Sequence, residues 1–183
     1  MSLIILGSVA FDALETPFGK TDKIVGGAAS YAAIAASYLH KKVKIIGVVG
    51  EDFGEENLRK FTDHDIDISG IQIKKGEKSF FWSGRYHNDM NTRDTLVTEL
   101  NVLGDFDPII PASYQGAEYI LLGNLSPQVQ LTALNRLHQR PKLIVLDTMN
   151  FWMNIALDDL KEVLKNVDVL TINDEEARQL SGQ

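Results

Sequence analysis

Four stretches of this chain run apolar and then reach an Asp or Asn: "LIILGSVAFD" at Asp12, "AEYILLGNL" at Asn124, "PKLIVLDTMN" at Asp147 and "VDVLTIN" at Asn173. A strand that is apolar at nearly every position, and not at alternate ones, is covered on both faces. "KVKIIGVVG" has the same character. Helical signals separate these runs. "GGAASYAAIAASYLH" sets small residues behind a double glycine, which lets a helix lie close to a sheet. "EDFGEENLRKFTDHD" reads as a polar crossover. "SPQVQLTALNRLHQR" has Ser at the N-cap and Pro at the first helical position. "ALDDLKEVLKN" is a short amphipathic helix. Strand alternating with helix predicts an α/β fold, a doubly wound and mostly parallel sheet.

The middle of the chain is patterned differently. "IDISGIQIKKGEKSFFWSGRYH" alternates apolar with polar residues around "KKGEK". Period two of this kind predicts an antiparallel hairpin, which "DTLVTELNVL" would extend. The expectation is a small sheet outside the main one. Its aromatic residues Phe80, Phe81, Trp82 and Tyr86 serve either as a buried face or as a surface on which a ring stacks.

Composition narrows the classes of function. The 183 residues are 44% hydrophobic, ordinary for a globular core that needs no staples. Cysteine is absent, which excludes disulfides and thiolate-bound zinc. The net charge is -7 and the short basic runs "HKKVK" and "KKGEK" read as solvated edges or turns, so no nucleic-acid partner is expected. No apolar run approaches the ~20 residues of a membrane helix. The N-terminus lacks a basic region and a small-residue cleavage site, and reads as a first strand. A cytoplasmic protein without a membrane partner is the default expectation.

In an open parallel sheet, ligands bind beyond the carboxyl ends of the strands. Asp12, Asn124, Asp147 and Asn173, each placed at such an end, form the first candidate site. Gly26 and Gly27 precede a helix, where bare main-chain N–H groups suit a hydroxyl-rich or anionic ligand; close helix–sheet packing explains them equally well. "NDEE" spaces Asn173 and Glu176 one helical turn apart. Such a pair caps a helix, and it can also hold water around Mg2+. The four histidines show no metal-ligand spacing. GxGxxG, GxxxxGK[ST] and GxSxG are all absent, which removes the usual dinucleotide, P-loop and serine-hydrolase signatures.

Taken in order, the opening strand with Asp12, "GGAASYAA", "IIGVVGEDFGEENL", the strand reaching Asp147 and "TINDEEARQLSG" resemble the ribokinase-like (PfkB) family of carbohydrate and nucleoside kinases over essentially the whole chain. The resemblance implies a doubly wound, mostly parallel sheet with a small β-sheet lid. Residues 1–183 would form the N-terminal part of the kinase domain, with lid segments near 13–24 and 68–104. It also implies ATP and Mg2+ as cofactors, a sugar or nucleoside as substrate, and a homodimer paired through the lid. Asp12 would hold substrate hydroxyls and Gly26 and Gly27 would clasp the substrate. Asp147 would lie near the nucleotide phosphates. Asn173 and Glu176 would organise Mg2+ and phosphate, Glu176 reaching the metal through water. Tyr31, Asn91, Arg93 and Asn124 are further substrate-binding candidates.

Two departures bear on the substrate. Tyr31 stands where many sugar kinases carry Asn, and "DTMNFW" replaces "DPN"-like text. A third bears on catalysis. The family's Gly-Ala-Gly-Asp signature, with its anion hole and its general base, has no counterpart here, since Gly182 is the only glycine after Asn124. The C-terminal part of the fold is therefore expected outside this sequence, and this chain alone is expected not to turn over. A non-catalytic sugar- or nucleoside-binding module is the alternative, and an unrelated nucleotide-dependent oxidoreductase is a third reading that the missing glycine fingerprint opposes.

Overall fold

A computed structural model describes residues 1–90 and 92–182. Six parallel strands make the main sheet. They are β1 (Leu3–Leu6), β5 (Val43–Gly50), β6 (Asp67–Lys74), β9 (Tyr119–Leu122), β10 (Leu143–Asp147) and β11 (Val169–Thr171), in the spatial order β11-β10-β9-β1-β5-β6. Alternate residues feed opposite faces, which is why the strands are apolar throughout. Ile4, Leu6, Ile120, Leu122, Ile144 and Leu146 pack on one face with Ala133 of α3 (Pro127–Asn135) and with Leu160 and Val163 of α5 (Leu157–Leu164). Ile5, Ile45 and Val49 pack on the other with Ala29 and Ala33 of α1 (Ala28–Ser37) and Phe61 of α2 (Gly54–Thr62). The doubly wound, mostly parallel architecture expected from the apolar runs is what the chain adopts. Beyond β10 lies α4 (Asn150–Ile155), and α6 (Asp174–Ser181) follows β11.

A second sheet stands outside the main one. It is built from β2 (Ala10–Thr16), β3 (Gly19–Lys20), β4 (Ile24–Gly26), β7 (Phe80–Tyr86) and β8 (Arg93–Glu99). Two expectations are corrected here. The first run does not stay in one strand: it leaves the main sheet after Leu6, and Asp12 lies in β2, opposite Ile24 and Trp82. The break falls at Gly7, where α1 packs so close that a side chain would meet the Ala29 amide at 3.0 Å.

The central hairpin is the second correction. Residues 67–74, expected in the small sheet, form the edge of the main sheet, parallel to β5. Strand β7 instead pairs in parallel with β2, and only β8 pairs with β7 as a hairpin partner would. The "GED" of residues 50–52 enforces the split. Asp52 accepts from the amide and the hydroxyl of Ser79, both at 2.7 Å. The Gly50 amide donates to Ser79 Oγ at 3.0 Å, and Glu51 accepts from the Gly76 amide at 3.0 Å. Residues 76–79 are thus held at the end of β5 and cannot turn back along β6. Gly50 is required for this contact, since a Cβ there would lie 2.3 Å from the Glu77 carbonyl oxygen.

Candidate active site

The order of the main sheet reverses between β1 and β9: the chain moves out one way to β5 and β6, then the other way to β10 and β11. The crevice beyond such a reversal is where parallel sheets bind ligands. Two groups of candidate residues meet this edge.

The first is built around Asp12. Gly26 lies against it so closely that a Cβ would sit 2.0 Å from Asp12 Oδ2. The Gly27 amide donates to the carboxylate, which lowers its pKa, but burial is the larger influence and pushes the Asp12 carboxyl above its ordinary value. Tyr31, in the first turn of α1, is 55% exposed. Partial burial and the nearby charges of Asp12 and Tyr86 raise its phenol pKa. Asp12, Gly26, Gly27 and Tyr31 therefore come together, with Tyr86 of β7 as a neighbour.

Of the two readings of the double glycine, the structure favours close packing. The amides at the start of α1 are engaged within the protein, Ala28 donating to Ser8 Oγ and Ala29 to the Ser8 carbonyl, both at 3.0 Å. Gly27 has φ 96°, and a Cβ there would fall 2.3 Å from the Ser8 oxygen. The glycines admit Asp12 and Ser8, and the amides of residues 27–29 all have partners within the protein. Ser8 escaped sequence reasoning because it lay inside a presumed continuous strand.

The second group lines a cleft of about 460 Å3 beyond β9, β10 and β11. Arg93, Asn124, Asp147, Asn173 and Glu176 all border it, together with Thr148. Burial, then the charge of Glu176, raise the pKa of Asp147, while the amides of Asn124 and Thr148 oppose the shift. Asn173 and Glu176 form a complete capping box on α6: Glu176 N–H donates to Asn173 Oδ1 at 2.8 Å, and Asn173 N–H donates to Glu176 Oε2 at 3.0 Å. Capping accounts for one carboxylate oxygen of Glu176 and leaves its charge facing Asp147.

Three supporting residues were not foreseen. Gln130, fully buried on α3, donates to the Gly123 carbonyl (2.9 Å) and the Asp147 carbonyl (3.2 Å), tying the ends of β9 and β10 together. Trp152 of α4 donates to Asn124 Oδ1 at 2.8 Å, and Asn124 Nδ2 contacts Met149 Sδ at 3.0 Å, so both ends of that amide have partners within the protein. Thr148 is 4% exposed, and among the described residues its hydroxyl has no hydrogen-bond partner. Gln130 carries one signal a sequence could have offered, a polar residue on an apolar helix face. Asn91 lies outside the described residues.

Residues 7–183 match the model of the pfkB family of carbohydrate kinases. The chain belongs to this family. It is 31% identical over 186 residues to a cytidine kinase of Thermococcus kodakarensis, a match that takes in 100% of this chain and 65% of that protein. Among solved structures it is similar to the nucleoside kinase of Methanocaldococcus jannaschii, a ribokinase-family member, with TM-score 0.78 and 20% identity over 100% of this chain and 64% of the other. The Burkholderia thailandensis nucleoside kinase, solved with inosine, matches with TM-score 0.79 and 15% identity over 99% of this chain and 63% of the other. This PfkB chain thus spans just under two thirds of these three relatives, which are themselves kinases. Among the described residues no helix is long and apolar enough to cross a membrane.

Proposed function

We propose that this chain carries the acceptor-binding and phosphate-organising part of an ATP- and Mg2+-dependent kinase that phosphorylates a hydroxyl of a nucleoside. Such a reaction forms an O–P bond at the acceptor as the bond between the β- and γ-phosphates breaks, and leaves ADP. The acceptor's proton passes to a general base that none of these 183 residues supplies in the family's signature. One observation supports this best: the Asp12 group and the Asp147–Glu176 cleft open on the same sheet edge, at the reversal of strand order.

Each group has a role that follows from its chemistry. Asp12, with Gly26 against it, accepts hydrogen bonds from acceptor hydroxyls. Tyr31 and Tyr86 supply aromatic surface next to that carboxylate, which suits a base-bearing substrate better than a free sugar. Asn124 anchors the floor between the two groups. Asp147, Asn173 and Glu176 face the phosphates. Mg2+ binds through one or two carboxylates and keeps several waters; Asp147 and Glu176 fit that donor set, and the ion would neutralise charge on the phosphates. The second sheet covers the acceptor as a lid, and two such lids would pair in a homodimer. A cytoplasmic location suits ATP as donor.

The test is phosphoryl transfer from radiolabelled ATP to cytidine, inosine, ribose and fructose. The expected outcome is labelled nucleoside monophosphate, with the sugars at background, from protein that includes the family's Gly-Ala-Gly-Asp signature. Labelled sugar phosphate with no labelled nucleoside would overturn the assignment of the acceptor. Binding of cytidine with no transfer at all would favour a sensing module.

A further inference from the structure

We propose that the second sheet carries a further ligand site at its base, on the face opposite Asp12. It takes a small zwitterion of the α-amino-acid class, which braces the sheet over the acceptor. A cavity of about 330 Å3 lies at this place and shares no lining residue with the Asp147–Glu176 cleft. Phe11 and Phe81, opposite each other on β2 and β7, give it an aromatic floor. Successive residues of a strand face opposite sides. The next pair along, Asp12 and Trp82, therefore lies on the other face, so the cavity backs onto the Asp12 group.

Lys23, Asp52, Lys78 and Glu99 bring charge to its walls, and the first two are already engaged. Lys23 Nζ lies 3.0 Å from Asp52 Oδ2 and 4.0 Å from the centre of the Phe11 ring. Asp52 Oδ1 accepts from the amide and hydroxyl of Ser79. Lys78 and Glu99, by contrast, have no ion pair or side-chain hydrogen bond among the described residues. Asn101, also on the wall, donates from Nδ2 to the Ser79 carbonyl at 2.9 Å, while its Oδ1 has no partner among the described residues. Pairing brings these groups together: Glu99 stands opposite Phe81, and the Val102 amide donates to the Lys78 carbonyl at 3.2 Å. An uncommitted cation, an uncommitted anion and an amide oxygen thus surround an aromatic floor.

Ligand pockets run from about 300 to 1,000 Å3. This one is at the small end and fits a small molecule. A simple anion there would meet the Glu99 carboxylate, and a simple cation would meet the Lys78 ammonium. A molecule carrying both a carboxylate and an ammonium satisfies each wall, the ammonium also donating to Asn101 Oδ1. Its apolar or aromatic side chain would rest on Phe81. The cavity is also where β2, β7 and β8 of the second sheet meet Asp52, in the turn that follows β5 of the main sheet. An occupant would tie the two together behind the strand that carries Asp12. On the reading of Asp12 given above, its binding is then coupled to that of the acceptor, and such coupling is reciprocal.

Calorimetric titration with L-phenylalanine, phenethylamine and hydrocinnamate tests this on wild type, Lys78→Met and Glu99→Gln. Wild type should bind L-phenylalanine, and should bind each singly charged analogue about tenfold or more weakly, the effect of losing one charge-assisted contact. Lys78→Met and Glu99→Gln should each weaken L-phenylalanine by a similar factor. Both positions are exposed, so neither change threatens the fold. Saturating L-phenylalanine should tighten cytidine binding about fivefold or more. Failure to bind L-phenylalanine, equal binding of the three probes, or full affinity in either variant overturns the site. Cytidine affinity that ignores L-phenylalanine overturns the bracing role. A chain that binds L-phenylalanine with the expected charge dependence, and binds no cytidine, keeps the site and counts against the nucleoside reading above.

Discussion

Asp12 is placed where a carboxylate is uncomfortable. It is half-buried, Gly26 closes one side, and a single amide from Gly27 offsets only part of the lost hydration. Its folded-state pKa is therefore raised above 3.8. An acid with a raised pKa contributes stability that is complete below its unfolded value and is lost as pH rises through the folded one. At neutral pH the wild type carries that cost, as functional sites often do. Asp12→Asn should melt higher than wild type at pH 7, by about 2 °C or more, the shift that ~1 kcal/mol produces in a domain of this size. The gap should close as pH falls below 3.8. Thermal denaturation across pH measures it, and a gap independent of pH would show that burial of charge is not its cause. At this scale the sequence was partly readable. Asp147 and Asn173 were placed correctly because a parallel strand must end where its apolar run ends. Ser8 and Gln130 were not, because their roles depend on amides and carbonyls of other elements; Thr148 was not, because its burial beside the cleft comes from the packing around it.

At the scale of elements, the informative failure is the hairpin. Alternation of apolar and polar residues reports that a strand is half-covered; it does not name the strand beside it. Both β6, at the edge of one sheet, and β7, in another, satisfy the pattern. What separates them is the staple of Glu51 and Asp52 on residues 76–79, formed by side chains that propensity cannot weigh. Burial works against the Asp52 charge, yet the hydrogen bonds from Ser79 and Lys23 hold its carboxyl below the ordinary range. Such a group adds stability above its unfolded pKa and loses it in acid. Asp52→Ala should cost about 1–3 kcal/mol at pH 7, through the stranded Ser79 donors. The deficit should shrink as pH falls below 3.8. Denaturant unfolding at both pH values checks this; a deficit that persists in acid would assign the effect to packing. The helices were easier to read, since Pro127 and the Asn173–Glu176 box mark their own starts.

The molecule as a whole joins two sheets whose strands are drawn from the chain in very different ways. Main-sheet neighbours such as β9 and β10 are one helix apart. The second sheet is assembled from two distant pieces, and Ala10 must find Phe80 before β2 and β7 can pair. The main sheet closes a still longer loop, Leu3 pairing with Tyr119, so sequence separation does not rank the two sheets; burial does, since β1 and β5 lie in the core and β8 is exposed along its whole length. It follows that the two walls of the candidate site do not share one lifetime. The wall bearing Asp147 and Glu176 should persist through brief openings that release the wall bearing Arg93. Native-state hydrogen exchange should find the amides of β7 and β8 exchanging well before those of β1, β5 and β9; equal protection in both sheets would contradict it. A bound substrate would then escape through the brief loss of one wall while the other stays intact.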